Sequence, residues 1–351
     1  MGFHIALIGC GMVGRVHLDA LFNHPLISAV SLCEGDPEQA RTLSEKYSFK
    51  VVETDYKVLL GNHDVDIVDI CLPHDLHYPI ALQAFLAGKH VILEKPISLT
   101  LEEADEMMVA SAKAGKRLFV ALNERFLPVY QKVKEIIKSG TLGRIVMANL
   151  VVAGSELPRM NVPENWKGTF GRAGGGALAD SGTHIVDLAI DWFGMPEAVQ
   201  CIMGRFVVDA VNKADDTASL IMQYPDKIVN IHVTYASNGQ KWSETRSIWG
   251  EKGSIHTVIE SADPISYFVD QQQVPIEVEH SPDTWWADSV RSGISHAVDC
   301  LASGSSFTVT PENARNTLKV IKYAYTAAAL KRQVKMNEPD HSSLIKSEIG
   351  V

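Results

Sequence analysis

His4-Ile5-Ala6-Leu7-Ile8-Gly9-Cys10-Gly11-Met12-Val13-Gly14 decides the fold. A short, mostly apolar run reads as a buried strand, the three glycines as a tight turn, and Met12–Phe22 as the helix that follows. Gly9 permits the turn, Gly11 lets a ligand approach the backbone, and Gly14 lets the helix pack against the strand. The helix N-terminus offers N–H groups and partial positive charge to phosphates, so Gly9, Gly11, Met12, Val13 and Gly14 are assigned to a dinucleotide. Glu34 lies at the end of the next strand, where a carboxylate accepts ribose hydroxyls and repels a 2′-phosphate. The stretch Cys33–Ala40 holds no Arg or Lys, which favours NAD over NADP. The alternative is that Glu34 and Asp36 are solvated loop acids before a helix starting at Pro37.

Outward from this unit, the pattern of strand and helix repeats as far as about residue 121. Strands are expected at His4–Ile8, Ala29–Cys33, Ile67–Leu72, His90–Leu93 and Arg117–Ala121, and helices at Met12–Phe22, Pro37–Tyr47, Pro79–Ala87 and Leu101–Ala114. Alternating βα units predict a doubly wound parallel Rossmann sheet. A helix is expected at Pro128–Lys138, a strand at Arg144–Ala153, a loop over Gly154–Gly176 and a helix to about Phe193. Strands then follow at Val199–Val208, Ala218–Tyr224, Ile228–Ala236, Thr245–Trp249 and Ser254–Ile259, with turn signals at Pro225-Asp226 and Asn238-Gly239. In Ile228–Ala236, Val229, Ile231, Val233 and Tyr235 alternate with Asn230, His232 and Thr234, as in a sheet with one apolar face. Helices return at Trp285–Ala302 and Pro311–Ala328. The expectation is an α/β domain over residues 1–123 and a mostly antiparallel α+β domain over residues 124–351, whose last helices pack back on the first.

Composition sets outer limits. A chain of 351 residues suits two cores. The net charge of −10 and the lack of a segregated basic patch argue against nucleic acid and anionic membranes. Five scattered cysteines, Cys10, Cys33, Cys71, Cys201 and Cys300, suit buried thiols in a reducing compartment. No secretory signal and no spanning segment is legible, so a cytoplasmic location is expected.

Two further stretches carry chemistry, Glu94-Lys95-Pro96 and Gly174-Gly175-Gly176-Ala177-Leu178-Ala179-Asp180-Ser181-Gly182-Thr183-His184. Oxidising a secondary alcohol needs a base for the hydroxyl proton, and histidine titrates in the right range. A nearby lysine cation stabilises a developing alkoxide. Lys95 follows a buried strand at the edge where open α/β sheets bind ligands. Asp180 and His184 open a helix directly after three glycines, whereas Asp187 and Asp191, on the same face, read as a solvated polar stripe. A metal held by His184 and Asp187 with His74 or His77 lacks any further ligand cluster of zinc spacing, so no metal is expected. Arg159, Lys167 and Arg172 are either phosphate ligands or solvated loop cations.

Gly9-x-Gly11-x-x-Gly14, Pro73-x-x-x-His77, Glu94-Lys95-Pro96, Asn123-x-Arg125-Phe126, Gly140-x-x-Gly143 and the glycine run through Asp180, Gly182, His184 and Asp187 together resemble the glucose–fructose oxidoreductase/inositol dehydrogenase/MocA family, Gfo/Idh/MocA. The resemblance runs from about His4 to about Val334. It implies that Lys95 and His184 transfer the proton and bind the hydroxyl, that Asp180 binds a neighbouring hydroxyl, and that Leu72, Pro73, His77, Glu94 and Asn123 line the nicotinamide side. Trp166 and Lys167 are assigned with Glu124 to substrate, although inositol dehydrogenase-like members often carry a basic residue at the Glu124 position. The resemblance also implies an open second sheet whose outer face forms a homodimer or homotetramer.

The expected function is therefore NAD(H)-dependent hydride transfer to or from a secondary alcohol or ketone of a sugar, sugar phosphate, nucleotide sugar or inositol. Two alternatives remain: an NAD-sensing regulator on the same fold, and a reductase of a non-sugar carbonyl or imine.

Overall fold

A computed structural model describes residues 2–162, 165–208, 214–237, 239 and 242–339. The chain divides into two compact units, Met1–Asn123 with Trp286–Arg315, and Glu124–Trp285 with Asn316–Val351.

The first unit is built on six parallel strands: β1 (Phe3–Ile8), β2 (Ile27–Cys33), β3 (Val52–Glu53), β4 (Ile67–Ile70), β5 (His90–Glu94) and β6 (Leu118–Ala121). Their order is β3-β2-β1-β4-β5-β6, so the direction of winding reverses between β1 and β4, directly beyond the glycine turn. Helices α1 (Met12–Phe22), α2 (Pro37–Lys46), α3 (Tyr56–Gly61), α4 (His77–Leu86) and α5 (Leu101–Ala114) connect them. Three of the five starts have a side-chain cap. Asp36 caps α2, Asp55 caps α3, and Thr100 forms a capping box with Glu103 at α5. Ile5, Leu7, Val68, Ile70, Ile92 and Leu93 are at most 1% exposed, as expected of strands covered on both faces. The short β3 and α3 were not legible because two and six residues carry no usable period.

In the second unit, α6 (Pro128–Ser139), α7 (Leu157–Met160), α8 (Phe170–Ala173) and α9 (Ser181–Phe193) accompany a nine-stranded sheet among the described residues. Its strands are β7 (Ile145–Ala153), β8 (Ala198–Gly204), β9 (Thr217–Gln223), β10 (Ile228–Thr234), β11 (Ser243–Gly250), β12 (Gly253–Val258), β13 (Ile265–Val269), β14 (Gln272–Gln273) and β15 (Val334–Lys335). Every pairing is antiparallel except β10 with β7. The expected alternation holds, with Val229, Ile231, Val233 and Tyr235 at most 2% exposed. They face a core shared with Ile185, Val186, Leu188 and Ala189 of α9. Each such aliphatic side chain contributes roughly 1.5–3 kcal/mol when fully buried.

Several boundaries differ. β8 ends at Gly204 rather than Val208, because the Asp216 carboxylate captures the N–H groups of Phe206, Val207 and Val208 at 2.7–2.8 Å and bends the chain. The expected loop Gly154–Gly176 contains α7, α8 and a 3-10 turn at Trp166–Gly168. Asn238 lies outside the described residues. The last long helices are α10 (Trp285–Ser303) and α11 (Pro311–Leu330).

Candidate active site

On the first unit, the site assembles at the carboxyl ends of the parallel strands. Gly9 has φ +84°, and a Cβ there would lie 2.6 Å from the Cys71 carbonyl oxygen. A Cβ at Gly11 would meet nothing within 4 Å, which leaves the approach to the backbone open. Gly11 caps α1 without a side-chain bond, and the first turn carries no acid. The first turn of α1 thus supplies no acid of its own to its positive end, and the cradle fits a dinucleotide pyrophosphate.

Glu34 is not a freely solvated acid. Its Oε2 accepts from Cys10 N at 2.9 Å and Gln39 Nε2 at 2.8 Å, and its Oε1 accepts from Asp36 N at 3.0 Å. These donors hold the carboxylate against the glycine turn. A cation also reaches this corner from α1, where Arg15 donates to Gln39 Oε1 at 2.9 Å. Inspection of Cys33–Ala40 alone missed it.

Leu72 and Pro73 follow β4 and are half-buried. His77 is fully buried, with Nδ1 2.8 Å from the Pro96 carbonyl and Nε2 2.9 Å from the Leu72 carbonyl. Burial lowers its pKa. His77, expected on the nicotinamide side, lies between the Leu72 loop and the turn after Lys95, and as a neutral ring it donates to one of the two carbonyls. Lys95 is half-buried after β5 and is joined to Pro96 by a cis peptide bond. Glu94 is 7% exposed, and its Oε2 accepts from Lys95 N at 3.1 Å. Asn123 is 3% exposed and donates to Ser289 Oγ at 2.6 Å.

On the second unit, Asp180 stands immediately before α9, and two donors converge on its Oδ2. Lys167 Nζ lies at 2.7 Å and Tyr235 Oη at 2.9 Å. The Tyr235 hydroxyl also accepts from Ser181 N at 3.1 Å and lies 2.6 Å from Ser181 Oγ. Burial, then the charge of Asp180, pushes the Tyr235 pKa well up, so the phenol stays a donor. Burial alone would lower the Lys167 pKa, but Asp180 and Glu156 raise it. The Lys167 ammonium sits 5.8 Å from the centre of the Trp166 ring. His184, four residues after Asp180 in sequence, is half-buried on the first turns of α9. Trp166, Lys167 and Asp180 are thus brought together.

Glu124 is not among them, which corrects its assignment to substrate. Its side chain is 5% exposed and bonded at 3.1 Å to Arg246, which also binds Glu244 at 2.6 Å. Burial and the neighbouring Glu244 push its pKa well up. A second correction concerns the polar stripe of α9. Asp187 is 1% exposed and takes two 2.6 Å bonds from Arg125, whose Nη1 reaches Asp191 at 3.0 Å. Lys134 also binds Asp191, at 2.7 Å. These acids anchor α9 rather than face water, and a pair of this kind costs about 3–5 kcal/mol to break from one side.

Two groups beside the site carried no sequence signal. Asp215 accepts from Gly176 N at 2.8 Å and Leu178 N at 3.0 Å, and so shapes the glycine run before Asp180. Tyr325 donates to the same carboxylate. All five cysteines are free and buried. Among the described residues, no helix is long and apolar enough to cross a membrane.

A doubly wound sheet with an open glycine cradle, a carboxylate held beside it and a lysine at the strand ends is the arrangement of a nicotinamide-dinucleotide oxidoreductase. A family model described as "Oxidoreductase family, NAD-binding Rossmann fold" matches residues 3–122, and one for the "GFO/IDH/MocA C-terminal domain" matches residues 130–256. The chain belongs to the Gfo/Idh/MocA family and is an NAD-dependent oxidoreductase. It is 27% identical over 282 residues to levoglucosan dehydrogenase of Pseudarthrobacter phenanthrenivorans, covering 72% of each chain. It is 35% identical over 196 residues to D-glucoside 3-dehydrogenase of Escherichia coli, covering 55% of this chain and 54% of that one. A solved levoglucosan dehydrogenase in complex with NADH and levoglucosan superposes with TM-score 0.86 at 23% identity, over 96% of this chain and 100% of the other. At that identity, the superposition speaks for the fold.

Proposed function

We propose that the chain interconverts a secondary alcohol and a ketone on a sugar or cyclic polyol, with Lys95, Asp180 and His184 as its catalytic residues. The observation that carries this reading is the Asp180 carboxylate, fixed by Lys167 and Tyr235 at the head of the helix that bears His184. A carboxylate has about four acceptor sites, so Asp180 can accept a substrate hydroxyl alongside Lys167 and Tyr235. Bound NAD⁺ supplies the hydride acceptor for the two-electron oxidation. His184 takes the hydroxyl proton on a ring nitrogen while Lys95 stabilises the negative charge developing on that oxygen. The carbon–oxygen single bond becomes a carbonyl as hydride and proton leave. The glycine cradle and Glu34 place the dinucleotide, with Leu72, Pro73, Glu94 and Asn123 around its nicotinamide end. His77 holds the loops beneath it.

The relatives named for levoglucosan and D-glucoside dehydrogenation support a carbohydrate substrate. Lys167 is already committed to Asp180, with Glu156 3.9 Å away, which favours a neutral sugar over a phosphorylated one. We further propose a cytoplasmic homodimer or homotetramer with no nucleic-acid partner. Met147, Ile202, Ile221, Ile228 and Val258 are 38–71% exposed on the sheet strands and supply the apolar surface for self-association. Light scattering at micromolar concentration tests this, and a monomer mass refutes it.

The function is tested by incubating the protein and NAD⁺ with levoglucosan, methyl glucosides, glucose 6-phosphate and myo-inositol while following NADH absorbance. Lys95→Ala and His184→Ala are expected to lower turnover on the best substrate by about 10²-fold or more, with far smaller changes in NAD affinity. Near-parental turnover in either variant removes that residue from the chemistry. Absence of turnover with every sugar and polyol favours the sensor.

A further inference from the structure

Beneath the glycine turn lies a buried polar cluster of which the proposed reaction uses only Glu94. His17, on α1, is 0% exposed. Its Nδ1 is 3.1 and 3.0 Å from the two oxygens of Asp69, and its Nε2 is 3.1 Å from Glu94 Oε1. Cys71 Sγ lies 3.3 Å from the same Nδ1. A neutral imidazole carries one N–H and cannot donate at both ends. Burial alone would lower the His17 pKa, but the Asp69 charge and the Cys71 contact raise it well above the ordinary value, in agreement with a doubly protonated ring. His17, Asp69 and Cys71 are close enough to suggest a metal cage, their ligand atoms lying within 4.8 Å of one another. Among the described residues only these three converge, one short of the four that a closed structural site uses.

We infer that His17 is a positioning residue for Lys95, acting through Glu94. A bond to Asp69 alone would satisfy one nitrogen of a buried histidine. The second arm brings another carboxylate into the interior, at a desolvation cost that its own bonds must offset. That carboxylate belongs to the residue before Lys95, and its other oxygen holds the Lys95 N–H at 3.1 Å. The chain of contacts Asp69–His17–Glu94–Lys95 therefore runs from the centre of the sheet to the lysine backbone. Because α1 also presents the dinucleotide cradle, one helix sets both. The inference rests on the catalytic reading of Lys95.

The two amide replacements separate the arms. The side-chain nitrogen of asparagine overlies Nδ1 and that of glutamine overlies Nε2, so His17→Asn keeps the Asp69 contact and His17→Gln keeps the Glu94 contact. The first readout is amide hydrogen exchange at Lys95 in the protein without substrate. Exchange is expected to quicken at least about tenfold in His17→Asn and to stay within about threefold of the parent in His17→Gln. The second is steady-state kinetics on the best sugar found. In His17→Asn, kcat is expected to fall about tenfold with KM for NAD little changed, and His17→Gln restores most of it. Glu94→Gln, which keeps the side-chain size, is expected to repeat the His17→Asn loss, and the two losses should not add in the double variant. Equal exchange and equal kcat in the Asn and Gln variants, or additive losses with Glu94→Gln, overturn the positioning role. Lys95→Ala, run alongside, keeps the two ideas apart. If it retains turnover, the catalytic reading fails; if it is inactive while the His17 variants behave alike, only the positioning role fails.

Discussion

Tyr235→Phe probes the Asp180 site with little steric disturbance. Tyr235 is 2% exposed at the end of a core-facing strand register, so phenylalanine keeps the ring and its packing and removes only the hydroxyl. That hydroxyl donates to Asp180 Oδ2 at 2.9 Å and accepts from Ser181 N at 3.1 Å. A hydrogen bond to a charged group contributes roughly 1.5–3 kcal/mol, and 1.4 kcal/mol is a factor of ten. Lys167 remains 2.7 Å from the same oxygen and retains part of the constraint, so the lower end applies. The expected loss is about tenfold in kcat/KM for the sugar, with less than about threefold change in KM for NAD. Losing the acceptor for Ser181 N should also destabilise the fold by about 1–2 kcal/mol in urea titration. The assay is NADH formation under saturating NAD⁺ and limiting sugar, with NAD affinity measured separately by fluorescence. An unaltered kcat/KM combined with the stability loss would show that Tyr235 only braces α9, and would remove the argument that a fixed Asp180 carboxylate is needed for substrate.

On the proposed ribose-binding role of Glu34, NAD should be preferred over NADP by at least about tenfold in catalytic efficiency, because its carboxylate would repel a 2′-phosphate. Glu34→Ala should narrow that ratio, helped by the Arg15 guanidinium already at this corner, and an unchanged ratio would sink the assignment. A different pH effect follows from His90, whose pKa burial lowers from 6.5 to about 4. The unfolded chain then binds a proton that the folded one refuses, so the contribution is intact above pH about 6.5 and is lost as pH falls towards about 4. His90→Phe should flatten the fall in denaturant midpoint across that window, and a profile parallel to the parent's would refute it.

The cofactor unit was legible because its signals are local. Strand, glycine turn and helix follow one another within β1 and α1, and the positive φ of Gly9 and the uncapped start of α1 are properties of the residues that form them. The same holds for the lysine after β5 and for the glycine run before α9. Short elements such as β14 and β15, two residues each, exist only through their neighbours and leave no periodic trace.

The sequence by itself determined the class of fold, the nucleotide-binding turn and the residue types available for proton transfer, because each is encoded within one strand–turn–helix span or one helix start. Tertiary structure decided which polar groups are buried in ion pairs that hold the protein together. Asp180 meets Tyr235 across 55 residues, Arg125 meets Asp187 across 62, and Glu124 meets Arg246 across 122. Such partners are set by sheet register and helix placement, which sequence spacing does not contain. The same acids that read as a solvated stripe became buried anchors of α9, because a carboxylate survives burial only where a guanidinium from another element comes to meet it.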